Sequence, residues 1–269
     1  MSASPPAIPD GDSADSPSPW TVVKVKGSRH RGHGRRRRSA AALDFHQPEP
    51  IRSSAKGPAS AADIEHVQRE HTRVAAEFCA QPSWRHVTAW VAANASGHAA
   101  VSRAVCLGAG SFGSPLDGGE AIRRAHVQTA VFLAIIEILA PAGIPCFFQE
   151  PLYGDADRKF LESLGHSVVE TPAATAMINA DTLVFAIHLP TRAYLDCLAG
   201  DQPALLIGSG YECYERLPQF ATAKTSQQLQ RLQEIHNTFA RFAFPQEKHD
   251  YCFSDTYLYW RPIQNGSRD

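Results

Sequence analysis

Residues 105–113 read Val-Cys-Leu-Gly-Ala-Gly-Ser-Phe-Gly, an apolar run that breaks into a Gly-x-Gly-x-x-Gly loop. Glycines at 108, 110 and 113 permit positive φ and let another group approach bare backbone. A strand that enters such a loop and a helix that leaves it present backbone N–H groups to phosphates or carboxylates in parallel α/β sheets. Here Ser114-Pro115-Leu116-Asp117-Gly118-Gly119 intervenes before apolar periodicity resumes. The dinucleotide fingerprint instead packs its third glycine inside the first helical turn. The segment therefore predicts a strand-to-helix crossing, and two uses stay open for it: a nucleotide-type ligand site or a tight structural turn. No lysine of the triphosphate-binding loop follows the glycines, which argues against nucleotide triphosphate hydrolysis.

The rest of the chain extends this α/β reading. Ile64, Val67, Val74 and Phe78 recur at helical spacing over 63–80, and Pro82 opens a second helix carrying Trp84, Val87 and Val91. Strands are expected at 103–107, 144–149, around Val168 and Val169, at 182–189 and at 204–207. Helices are expected at 120–139, 155–164 and 191–198, followed by a long amphipathic one carrying Leu229, Leu232, Ile235 and Phe239. Near-continuous apolar strands separated by helices imply a mainly parallel sheet of about five strands covered on both faces, a Rossmann-like three-layer sandwich. The aromatic alternation of Tyr251 to Trp260 reads as an added antiparallel C-terminal edge strand. Residues 61–265 form a single expected domain, preceded by an arm of residues 1–60.

That arm is rich in Pro, Ser, Ala, Gly and Arg, a composition that predicts disorder. Lys24 to Arg38 holds eight basic residues and no acid, and outside it 18 basic residues face 27 acidic ones. A basic arm on an acidic body is the asymmetry of an interaction or targeting tail. Arg35, Arg36, Arg37 and Arg38 accordingly suggest nuclear import through a receptor, or contact with phosphates without sequence readout; a solvated arm is the plainer reading. Six cysteines without a C-x-x-C pair suggest a reducing compartment and no zinc site, and no histidine pair with a third ligand suggests a metal. The most apolar stretch, 130–140, contains Glu137 and is too short to span a bilayer. A protein of the cytoplasm and nucleus, with no membrane role, is the expectation.

Ligands of parallel sheets lie beyond the carboxyl ends of the strands. The candidates there are Gly108, Gly110, Ser111 and Phe112 after the first strand and Glu150 after the second, where nucleotide-binding folds place a ribose-binding acid. His188 follows the fourth strand and Ser209 the fifth. Neither Gly208-Ser209-Gly210 nor Ser111 has the frame of a nucleophile elbow. An acid/base pair of His188 and Glu150 is conceivable, but no reaction class is demanded.

Several of these segments together resemble the SRR domain family, named for sensitivity to red light reduced. They are Trp20-Thr-Val-Val before the arginine cluster, Leu107-Gly108-Ala109-Gly110-Ser111-Phe112, Gln128, Glu150-Pro151-Leu152-Tyr153 and Leu164-Gly165. The likeness continues through Leu183 to Pro190, Ile207-Gly208-Ser209 and Phe253-Ser254-Asp255-Thr256. Three departures stand out: Glu150 where the family more often has Asp, Pro190 after the histidine rather than before it, and Gly210 in a turn that usually reads Asn-Ser-Phe. The resemblance implies a regulatory protein, not an established enzyme, of a kind linked to circadian rhythm, haem biosynthesis control and cell proliferation. Its ligand or protein partner is not named by the residues. The alternative is an S-adenosylmethionine-dependent transferase or another nucleotide-binding Rossmann-like enzyme, since a glycine loop and an acid after the second strand also hold that cofactor.

Overall fold

In the computed structural model, residues 58–113, 118–215, 222–246 and 251–263 are described. Residues 1–57 of the arm, with Arg35 to Arg38 and the Trp20 segment, lie outside them.

Two helices come first. Helix α1 (Ala61–Cys79) starts at Ser60, whose side chain accepts the Asp63 N–H while the Asp63 carboxylate accepts the Ser60 N–H. This reciprocal pairing satisfies donors that the first helical turn leaves without partners. Its buried stripe is Val67, Val74 and Phe78. Helix α2 (Pro82–Asn94) opens on Pro82, whose fixed φ suits a first turn, and buries Trp84, Val87 and Val91.

The alternation then runs β1 (Arg103–Leu107), α3 (Gly119–Leu139), β2 (Cys146–Gln149), α4 (Asp155–Ser163), β3 (Ser167–Val168), β4 (Thr182–Ala186), α5 (Thr191–Asp196) and β5 (Leu205–Ser209). Helix α6 (Ala223–Thr238), β6 (Ala240–Ala243) and β7 (Thr256–Trp260) complete it. The sheet order is β3-β2-β1-β4-β5-β7-β6. The first five strands are parallel, and β7 pairs antiparallel with both β5 and β6. The strand order reverses between β1 and β4, the switch point where doubly wound sheets open a crevice.

Period-2 alternation divides the core. Ala104, Cys106, Leu183, Phe185, Leu205 and Ile207 face one layer with α1, α2, α3 and α4 residues such as Val74, Val91, Phe132 and Phe160. Val105, Leu107, Val184, Ala186 and Leu206 face the other, against Tyr194, Leu195, Leu229, Leu232 and Ile235 of α5 and α6. Each fully buried Val, Leu, Ile or Phe side chain among these contributes roughly 1.5–3 kcal/mol. The three-layer, mainly parallel arrangement matches the sequence expectation. One detail differs: the C-terminal strand is antiparallel, as expected, but lies one place in from the edge. Its outer neighbour β6 follows α6 directly, and Phe242 of β6 stacks on Trp90 of α2 at 5.1 Å. No described helix is long and apolar enough to cross a membrane.

Candidate functional site

The loop after β1 holds Gly108 at φ +69° and Gly110 at φ +87°, the left-handed region that glycine occupies without strain. A Cβ on Gly108 would collide with Leu189, which follows β4, so two strand ends meet over this glycine. The loop amides are used internally. The Gly110 N–H donates to Glu150 Oε2 at 3.1 Å, and the Leu152 N–H donates to Oε1 of the same carboxylate at 2.9 Å. The Phe112 N–H donates to Asp157 Oδ1 at 3.2 Å, and the Ser111 hydroxyl donates to Asp157 Oδ2 at 2.6 Å. Asp157 Oδ2 also accepts the Gly154 N–H at 2.9 Å. Burial pushes the Asp157 carboxyl above its ordinary value, against the opposing pull of these hydrogen bonds. Two protein carboxylates thus stand where a bound phosphate would meet the amides of a nucleotide loop.

Ser111 and Phe112 are buried. The Phe112 ring stacks on His126 of α3 at 4.9 Å, lies 5.9 Å from Tyr153 and meets Phe160 of α4 edge-on at 5.2 Å. The loop turns an aromatic anchor inward, beside His71 of α1.

At the ends of β4 and β5 the candidates serve different tasks. His188 is exposed and has φ +52°, and its Nε2 lies 2.9 Å from the Ser254 carbonyl and 3.3 Å from Ser254 Oγ. A carbonyl only accepts, so the neutral ring carries its proton on Nε2. Asp255 also sits at positive φ, 51°, and its carbonyl accepts the Gly210 N–H at 2.8 Å. Ser209 is buried, and its carbonyl accepts the Tyr194 hydroxyl at 2.8 Å. A Cβ on the preceding Gly208 would come within 2.9 Å of the Ala186 carbonyl and 2.7 Å of the Tyr194 ring, so only glycine fits there. Gly108, Gly110, Ser111, Phe112 and Glu150 are therefore brought together directly, and His188 joins them through its neighbour Leu189. The hydrogen bonds of His188 and Glu150 run to different loops. Among the described residues, no three His, Cys, Asp or Glu side chains converge as a metal-binding group.

Residues 68–260 match the SRR1 domain, well over half of the sequence. The chain belongs to the SRR1 domain family. Among solved structures it also matches, weakly, the crystal structure of the N-methyltransferase NodS from Bradyrhizobium japonicum WM9, with 13% sequence identity and a TM-score of 0.33. That likeness covers 68% of this chain and 99% of the other.

Sequence reasoning missed four residues that hold the SRR1 domain's loops and strand ends. Asp157 left a signal, standing three residues after Gly154 at helix-capping spacing. Tyr194 left none, because nothing in its helix marks a hydroxyl that reaches Ser209. His71 and His126 stand 55 residues apart in sequence on two helices, and only packing brings them beside Phe112.

Proposed function

We propose that this SRR1-domain protein is a non-catalytic regulatory module of the kind the family resemblance links to circadian rhythm, haem biosynthesis control and cell proliferation. One observation carries the reading. Glu150 spends one oxygen on the Gly110 N–H and the other on the Leu152 N–H, while Asp157 takes the Phe112 N–H. A transferase of the S-adenosylmethionine type needs those loop amides and that acid for its cofactor. Here both are committed to holding the loop shut. A loop clamped from within suits a fixed surface that a protein partner or small ligand recognises.

Calorimetric titration of the full chain with S-adenosylmethionine, NAD and haem tests the non-catalytic part. No heat from the first two is expected. Saturable binding of S-adenosylmethionine, weakened by Gly110→Ala, would instead favour the transferase. Cells lacking the chain test the regulatory part: restoring it should change rhythmic reporter expression or the transcripts of haem-synthesis enzymes. Absence of any change in both would overturn this half independently of the titration. The nuclear half of the expected distribution rests on Arg35 to Arg38. Replacing all four by Ala in a fluorescent fusion should shift the protein to the cytoplasm, and unchanged nuclear accumulation would refute import by this cluster.

A further inference from the structure

His71 of α1 and His126 of α3 lie with their Nδ1 atoms 3.5 Å apart and their ring centroids at 5.6 Å. His126 is 1% exposed, and its Nε2 has no hydrogen-bond partner. The pair sits among apolar rings: His71 is 5.1 Å from Phe160 and 6.3 Å from Phe112, and His126 stacks on Phe112. At 3.5 Å a single proton between the two Nδ1 atoms satisfies both, one ring donating and the other accepting. A second proton would place an uncompensated charge in an aromatic box.

We propose that the His71–His126 pair is an acid-released latch, which holds α1 and the Phe112 anchor of the glycine loop together while neutral and frees both when protonated. The surrounding groups fit this role. From α1, Glu70 favours charge on His126, whereas Arg73 and His66 oppose it. Glu70 is already engaged by Arg73 at 2.8 Å, so its help is partly spent. From α4, Asp157 has its oxygens on Ser111, Phe112 and Gly154, and Arg158 draws on its charge. Tyr153 is held neutral by burial. The help of Glu70 is outweighed by burial and by His71, Arg73 and His66, so protonation drives separation. Burial lowers the pKa of both rings from 6.5 to about 4. Burial raises the Asp157 carboxyl, so its proton uptake opposes opening, and the release falls to the two rings.

The shift of each ring from 6.5 to about 4 implies that acidification from about pH 7 to about pH 4.5 favours the open form roughly 50-fold per ring. Amide hydrogen exchange on the full chain, corrected for the intrinsic effect of pH, reads this directly. The expected result is a rise of that order or more in residues 61–79 and 108–113, with β4 and β5 still protected. Unchanged exchange in α1 and the loop overturns the latch, and so does a rise shared equally by β4 and β5, which is whole-domain unfolding. His71→Phe keeps an aromatic ring at a partly exposed position and removes one proton site. Its exchange should rise markedly less on acidification, and a wild-type rise in that variant also overturns the proposal.

Discussion

Glu150 accepts the Gly110 N–H at 3.1 Å, so the second glycine of the loop after β1 is tied to the end of the neighbouring strand β2. The same carboxylate holds the Leu152 N–H, and one side chain therefore sets the spacing of two loops. Glu150→Gln keeps the shape but turns an NH2 toward one of these donors. It should cost about 1–3 kcal/mol, the penalty for a buried donor left without an acceptor. Urea unfolding measures the loss, and exchange should quicken at Gly110 or Leu152. Wild-type stability and protection would show the clamp to be dispensable.

Gly108 and Gly113 belong to one motif but carry different constraints. Gly108 has φ +69° with Leu189 over it, whereas a Cβ on Gly113 meets nothing within 4 Å. Gly108→Ala should destabilise by about 1–3 kcal/mol, and pairing it with Leu189→Ala should recover the steric share but not the backbone strain. Gly113→Ala should lie within about 0.5 kcal/mol of wild type. Melting curves of the three variants decide the matter; equal effects at both glycines would contradict this account.

The six cysteines should divide by access. Cys79 and Cys213 are exposed, and Cys106, Cys146, Cys197 and Cys252 are buried. An aromatic disulfide reagent under native conditions should titrate two thiols quickly and the rest only on unfolding. A third fast thiol would mark local opening of the core.

Alkaline stability follows from the same burial. The Cys197 thiol is pushed up to about 12 and that of Cys146 to about 11, from an ordinary 9.0. A group whose folded pKa is raised contributes stability that is complete below its unfolded value and is lost as pH rises through the folded one. The domain should therefore lose stability progressively from about pH 9 to about pH 12, because thiolate formation favours the unfolded chain. Cys197→Ala should show a shallower alkaline decline in urea midpoint. An identical slope would place the loss in other groups.

Much of this fold is written in the periodicity. Continuous apolar runs such as Leu183 to Ile187 require burial on both faces, and that requirement leads to a parallel sheet with helices on each side. The place of β7 is not written, because the aromatic alternation of Tyr257 to Trp260 suits an inner or an outer antiparallel strand equally well. Strand β6 was hidden by α6, whose apolar spacing runs on to Phe239 with no break before Ala240. At the candidate site the glycines announced the turn, and Glu150 announced an acid. That the acid would bind the loop itself depends on the register Leu107↔Gln149, which no local pattern encodes. The positive φ of His188 and Asp255 was equally invisible, since histidine and aspartate enter that region more often than most residues but only at a few positions.

The position of β7 between β5 and β6 has a consequence for how the chain is made. Strand β5 gains its last neighbour only when synthesis has passed residue 260. Until then Leu205, Leu206 and Ile207 line a bare edge, and chaperone cover or delayed collapse must protect the nascent chain. A transcript cut short before Thr256 yields a product with nearly every helix in place and a sticky apolar border, which marks it for aggregation or degradation.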